Sequence, residues 1–198
     1  MKHFISIFLI AFLCAAGCNK TLVNKQDTSP TAVNEADTIT DEVITKISNK
    51  VIGHIEISGK LEEIKNRGIL RVALPAEKKP FQFLDPEYGI PDGFHPALIY
   101  EISRIIGVKP NITIPDDILI STFSSGKWDN EFDMIITDNK KLCAQESSHP
   151  FFFSGADNGW KIICTSDSGS FSDAIDEILV YLNETGIFAQ LYTGYVKE

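Results

Sequence analysis

From Leu61 onward, apolar positions fall into short continuous runs separated by stripes at helical spacing. Ile69, Leu70, Val72, Ala73 and Leu74 make a near-continuous run closed by Pro75, the pattern of a parallel strand covered on both faces. Leu98, Ile99, Ile102, Ile105 and Ile106 then recur at helical spacing. Pro96 suits the first turn of that helix and Gly107 its C-terminal stop. Val108 to Ile114 predicts a second strand, Asp117 to Ser125 a short helix, and Phe132 to Thr137 a third strand. Phe151 to Phe153 and Trp160 to Cys164 are further strand candidates. Ser170 and Asp173 suggest a capping box for a helix whose apolar face is Phe171, Ala174, Ile175, Ile178, Leu179 and Leu182, with Gly186 at its end. Ile187, Phe188, Leu191 and Tyr192 mark a last short helix. Strands alternating with helices predict a three-layer α/β domain with a mainly parallel sheet flanked by helices.

The upstream residues read differently. Ile39, Val43, Ile47, Val51 and Ile55 lie at four-residue spacing, a weak helical stripe, while their β-branched character points towards a strand. Residues 38–58 are therefore expected to be a linker with marginal structure. Residues 19–37 are polar and nearly free of large apolar groups, so they cannot bury enough surface to offset chain entropy and should form a flexible tether. Lys2 precedes an apolar run from Phe4 to Ala16, too short for a permanent membrane span. Ala15-Ala16-Gly17-Cys18 resembles a bacterial lipobox, which implies cleavage before Cys18 and lipidation of its thiol. Asn19 in place of an inner-membrane retention Asp favours the outer membrane by analogy. The expected organisation is a lipoprotein signal peptide over 1–17, a lipid-anchored flexible linker over 18–58 and a folded domain over 59–198. The expected location is the bacterial cell envelope, facing the periplasm.

Charge and cysteine usage narrow the partners. The net charge of −9 gives a surface that repels phosphate backbones and anionic headgroups, which argues against nucleic acid and leaves membrane attachment to the lipid anchor alone. Cys143 and Cys164 fall in neighbouring strand regions, and an oxidising periplasm permits a disulfide between them; two buried thiols is the alternative. His54, His95 and His149 are scattered and no CxxC pairing exists, so neither a metal nor another cofactor is expected. Asp116-Asp117 and Glu62-Glu63 are adjacent carboxylates, but sequence neighbours do not define an acid/base pair, and no nucleophile elbow is present. An enzyme is not expected.

Arg67-Gly68-Ile69-Leu70-Arg71-Val72, then Pro80-Phe81, then Gly93-Phe94 resemble in order and spacing the opening of the family-3 extracellular solute-binding proteins, the amino-acid-type receptors of ABC importers. The run from Leu182 to Tyr195 is similar to their closing helices. Those receptors close two lobes around a ligand, and less than half of this chain follows Gly107. His149 to Ser154 resembles the exit towards lobe 2, yet Trp160 to Cys164, six residues on, looks like the strand that returns to lobe 1. The resemblance therefore implies one lobe of a periplasmic-binding-protein-like type II fold, with lobe 2 missing.

The same resemblance implies a ligand crevice at the strand ends, lined by Phe81, Phe83 and Phe94 with polar groups from Thr137, Asp138, Lys140 and Gln145. The alternative for the three aromatics is that they plug the loop against the core. Relatives commonly grip the substrate carboxylate with an Arg; here Gln145 or, with a short deletion, Lys140 stands at that place. Lys78 stands where relatives often stack an aromatic on the ligand, and Ala97 replaces an Asp. With no facing lobe to exclude water, polar contacts are weakened. The implied function is an envelope solute-binding lobe with weak or lost binding of a small polar molecule such as an amino acid. The alternative is an accessory module that binds an envelope protein through the surface left by the missing lobe, near Phe151 to Phe153.

Overall fold

The computed structural model describes residues 41–114, 131–138, 148–150, 159–165 and 168–196. Helix α1 spans Asp41–Ile52 and α2 Gly59–Arg67. Strand β1 is Ile69–Ala73, the pair β2 (Phe83–Leu84) and β3 (Pro91–Asp92) forms a small hairpin, and α3 covers Phe94–Ile106. Next come β4 (Lys109–Thr113), β5 (Met134–Thr137), β6 (Ser148–Pro150) and β7 (Lys161–Cys164). Helices α4 (Gly169–Glu184) and α5 (Ile187–Tyr195) follow.

The main sheet has the order β4-β1-β5-β7-β6. Strand β1 runs parallel to both β4 and β5, while β7 runs antiparallel to β5 and to β6. Four of the five strands thus share one direction and β7 opposes them. The stretch from Trp160 to Cys164 does return to the sheet that holds Ile69 to Leu74, but as an antiparallel strand beside β5. Phe151 to Phe153 lie outside the described residues, and the strand seen there is Ser148–Pro150.

Both faces of β1, β5 and β7 are largely buried. Leu70, Val72, Leu74, Met134, Ile136, Ile162 and Cys164 point into the large core with the helices. Ala73, Ile135 and Ile163, at the alternate positions, join Phe132 in a second cluster, as the pleat requires. β4 is different: its residues alternate between exposed and half-buried, and it lies at the sheet edge, where Pro110 removes no needed ladder donor.

Helix α1 corrects the expectation of a linker through residue 58. Asp41 and Glu42 sit in its first turn and Lys50 in its last, which complements the helix dipole. Val51 and Ile52 are buried, Ile47 and Ile55 pack against the same core, and α1 meets α3 and α4. Tertiary burial of the stripe outweighs the β-branched preference. The capping box is also corrected. Helix α4 starts at Gly169 after Ser168, which makes no side-chain cap, and the Ser170 hydroxyl instead donates to the Ser58 carbonyl at 2.7 Å. That bond ties the start of α4 to the start of α2. Among the described residues no helix is long and apolar enough to cross a membrane.

Candidate functional site

The C-terminal ends of β1 and β5 and the N-terminal end of the opposed β7 meet at one edge of the sheet. The loop after β1 is shaped there by its own backbone. Lys78 N–H donates to Gln82 O at 2.7 Å, and Gln82 N–H donates back to Lys78 O at 3.1 Å. The Gln82 side chain is fully buried; its amide nitrogen donates to Ala76 O at 3.2 Å. The amide oxygen lies 2.6 Å from His95 Nδ1, so that nitrogen carries the proton.

Gly93 makes this approach of loop and helix possible. Its φ is +113°, and a Cβ there would lie 2.7 Å from Phe81 O and 2.8 Å from Pro80 O, so a side chain would have to displace backbone. The first turn of α3 uses the same carbonyls: Phe94 N–H donates to Pro80 O at 3.2 Å and His95 N–H to Phe81 O at 2.8 Å. These helix-start donors are therefore satisfied internally and not presented to an anion.

An aromatic cluster fills the corner. The His95 ring meets Trp160 edge-on at 4.4 Å between centroids and stacks on Phe81 at 5.4 Å; Phe81 and Trp160 are 5.6 Å apart. Burial, aided by the positive charge of Lys78, pulls the His95 pKa down to about 3, so the ring is neutral at physiological pH. Above this cluster the Lys78 ammonium lies 2.7 Å from Asp138 Oδ2 and 4.9 Å from the Trp160 ring centroid.

The residues expected at the crevice separate. Phe81 is half-buried in the cluster; Thr137 ends β5, and Asp138 follows it and pairs with Lys78. Thr137 is itself buried opposite Lys161. Phe83 lies on the hairpin under the Lys79 ammonium, 4.9 Å from its ring, and the N–H of neighbouring Leu84 donates to Glu77 Oε1 at 2.9 Å. Phe94 is corrected outright: it is fully buried in the main core, edge-on to Phe188 at 5.6 Å and Tyr192 at 6.0 Å, and cannot line a crevice. Cys18, Lys140, Cys143 and Gln145 lie outside the described residues. Cys164 is buried in the core, and that burial pushes its thiol pKa well up. Gln82, His95 and Trp160 were not anticipated as site residues. The Gly-Phe turn was the available signal for His95, which directly follows it.

Two concavities lie away from this corner. One, of about 640 Å³, sits where the α1–α2 connection meets α4 and is lined by His54, Glu56, Asp173 and Glu177 among others. The other, about 540 Å³, is a mostly apolar groove between α1, α3 and α5. Neither gathers aromatic and polar groups at the strand ends, where open α/β sheets bind ligands.

Sheet order and the opposed return strand together define a class: the lobe-1 fold of the amino-acid-type solute-binding proteins. The chain has that fold. It is similar to domain 1 of the arginine-binding protein TmArgBP in its arginine-bound form, with 27% identity and a TM-score of 0.50 over 61% of this chain and 98% of that one. A point mutant of the same arginine-bound domain gives 26% identity and a TM-score of 0.52 over 63% and 98%. The fold is shared with a mutant ArgBP from T. maritima, at 16% identity and a TM-score of 0.56 over 71% of this chain and all of that one. It is also shared with an ancestral amino-acid-binding protein, a precursor of cyclohexadienyl dehydratase, at 15% identity and a TM-score of 0.54 over 69% and 99%. No family model matches the chain, and no curated protein does.

Proposed function

We propose that this chain is a cell-envelope solute-binding lobe that holds a small polar molecule, such as an amino acid, weakly at the corner formed by Phe81, Asp138 and Trp160. The observation that carries this reading is the convergence of the Asp138 carboxylate and an aromatic cluster at the strand ends of a lobe-1 sheet. Its likeness to a single domain in arginine-bound form supports ligand capture by one lobe. Weak binding follows from solvent access: the Asp138 side chain is 38% exposed, so water competes for its polar contact. Binding rather than catalysis is proposed, because the buried histidine is neutral and its Nδ1 is hydrogen-bonded to the Gln82 amide oxygen.

Isothermal titration of the full chain in detergent with a panel of amino acids tests the reading. Heat saturating in the high micromolar to millimolar range is expected for at least one of them, and none at millimolar ligand would remove the idea. The anchor is proposed on Cys18, with the polar segment after it as tether. Metabolic labelling with an alkyne fatty acid should mark the protein in the outer-membrane fraction. The label should vanish in Cys18→Ala, and a label that persists in the variant would place the lipid elsewhere or nowhere.

A further inference from the structure

The ammonium of Lys78 occupies an arrangement that usually recognises a ligand. A carboxylate oxygen stands 2.7 Å from it and an indole face 4.9 Å from it. Carboxylate and aromatic face together bind an organic cation, one through charge and hydrogen bonding, the other through the ring quadrupole. Trp160 is almost fully buried, and among its described neighbours Phe81 and His95 pack against the indole while Lys78 lies over its ring.

We propose that Asp138 and Trp160 form a subsite for an alkylammonium or guanidinium group, and that Lys78 fills it from within the same chain. The inference rests on the solute-binding reading above and refines it, since it names the ligand class and the residue that opposes its entry.

Three features support an internal plug over a structural ion pair. The backbone of Lys78 is held by its reciprocal bonds with Gln82, so the side chain can leave without disturbing the loop. The ammonium is half-exposed, which lets it move into water at small cost. The ring beneath, His95, is neutral and does not repel an incoming cation.

When an external cation enters, Lys78 must give up both contacts and yet stays nearby as a like charge. Its removal should therefore favour cationic ligands selectively. An exposed pair and a single cation–π contact together set the scale, and Lys78→Met should tighten arginine binding by roughly threefold to tenfold. Binding of leucine should stay within about twofold.

The experiment compares the full chain with its Lys78→Met and Lys78→Arg variants. Calorimetry uses arginine, leucine and glutamate; ethylguanidinium chloride, matched against sodium chloride, is followed by Trp160 emission in a Trp128→Phe background. Selective tightening for arginine and ethylguanidinium in Lys78→Met, wild-type-like behaviour in Lys78→Arg and a shifted Trp160 emission in the unliganded methionine variant support the plug. Weaker arginine binding in Lys78→Met would make Lys78 a ligand contact and overturn it. Equal affinities in all three proteins overturn the plug while leaving the solute-binding reading intact. No binding of any ligand to any of them overturns both.

Discussion

Strand β5 carries a carboxylate at each end, and the two have opposite fates. Asp133, just before the strand, is fully buried. It accepts hydrogen bonds from Arg67 Nη2, from Arg71 Nη2 at 3.0 Å and from Arg71 N–H at 2.9 Å. Asp138, just after the strand, is 38% exposed and pairs with the ammonium of Lys78. The chemistry of pairing is the same, yet burial separates a structural clamp from a replaceable contact. An ion pair withdrawn from water cannot lose one partner without stranding a charge, whereas an exposed pair exchanges its partner for water. The clamp joins α2, β1 and β5 at the end of the sheet opposite Asp138.

The contrast is broken most directly at Asp133. Asp133→Ala should destabilise the fold by about 3 kcal/mol in urea unfolding, and a loss below about 1 kcal/mol would make the two ends alike. At the other end, stability depends on the close approach at Gly93. Gly93→Ala should cost about 2 kcal/mol through strain at positive φ and contact with Phe81 O, measured by the same unfolding curves.

His95 sharpens the comparison through pH. It is held near 3 when folded and titrates near 6.5 when unfolded, so the unfolded chain binds more protons between those values. Its stabilisation is complete above about pH 6.5 and falls as pH drops towards 3. Lowering the pH from about 7 to about 5.5 should remove about 1 kcal/mol through this residue, and His95→Gln should flatten that part of the profile. An unchanged profile would show that the ring is not held neutral by burial. The smallest effect is expected at the exposed pair, where Lys78→Met should change unfolding stability by less than about 1 kcal/mol. A larger loss would turn Lys78–Asp138 into a second clamp.

Much of the fold was legible in local pattern. The run from Ile69 to Leu74 became β1 and the residue beyond it, the stripe behind Pro96 became α3, and Gly107 closed that helix in a left-handed conformation with φ 84°. Such features depend on periodicity and backbone sterics within a few residues. Three expectations failed where distant contacts decided. The stripe around Val51 became a helix because α3 and α4 receive it. Ser170 left its cap for the carbonyl of Ser58, and of the two readings of Phe94 the core one holds, because Phe188 and Tyr192 pack against it.

The candidate site was less legible than the fold. Thr137 and Asp138 were anticipated because the resemblance implies a ligand crevice there. Trp160 read only as a strand residue, and Lys78 only as a missing aromatic. Their meeting joins the loop after β1, the end of β5 and the start of β7, and no local spacing encodes such a meeting.

The sequence by itself determined the alternation of strands and helices and the order of motifs that resembles a receptor's first lobe, because hydrophobic period and turn chemistry act between near neighbours. The strand order, the opposed direction of β7 and the separate environments of Asp133 and Asp138 arise from contacts between distant segments. Those depend on which surfaces exclude water from each other, and burial is a property of the assembled sheet and helices, not of any one segment.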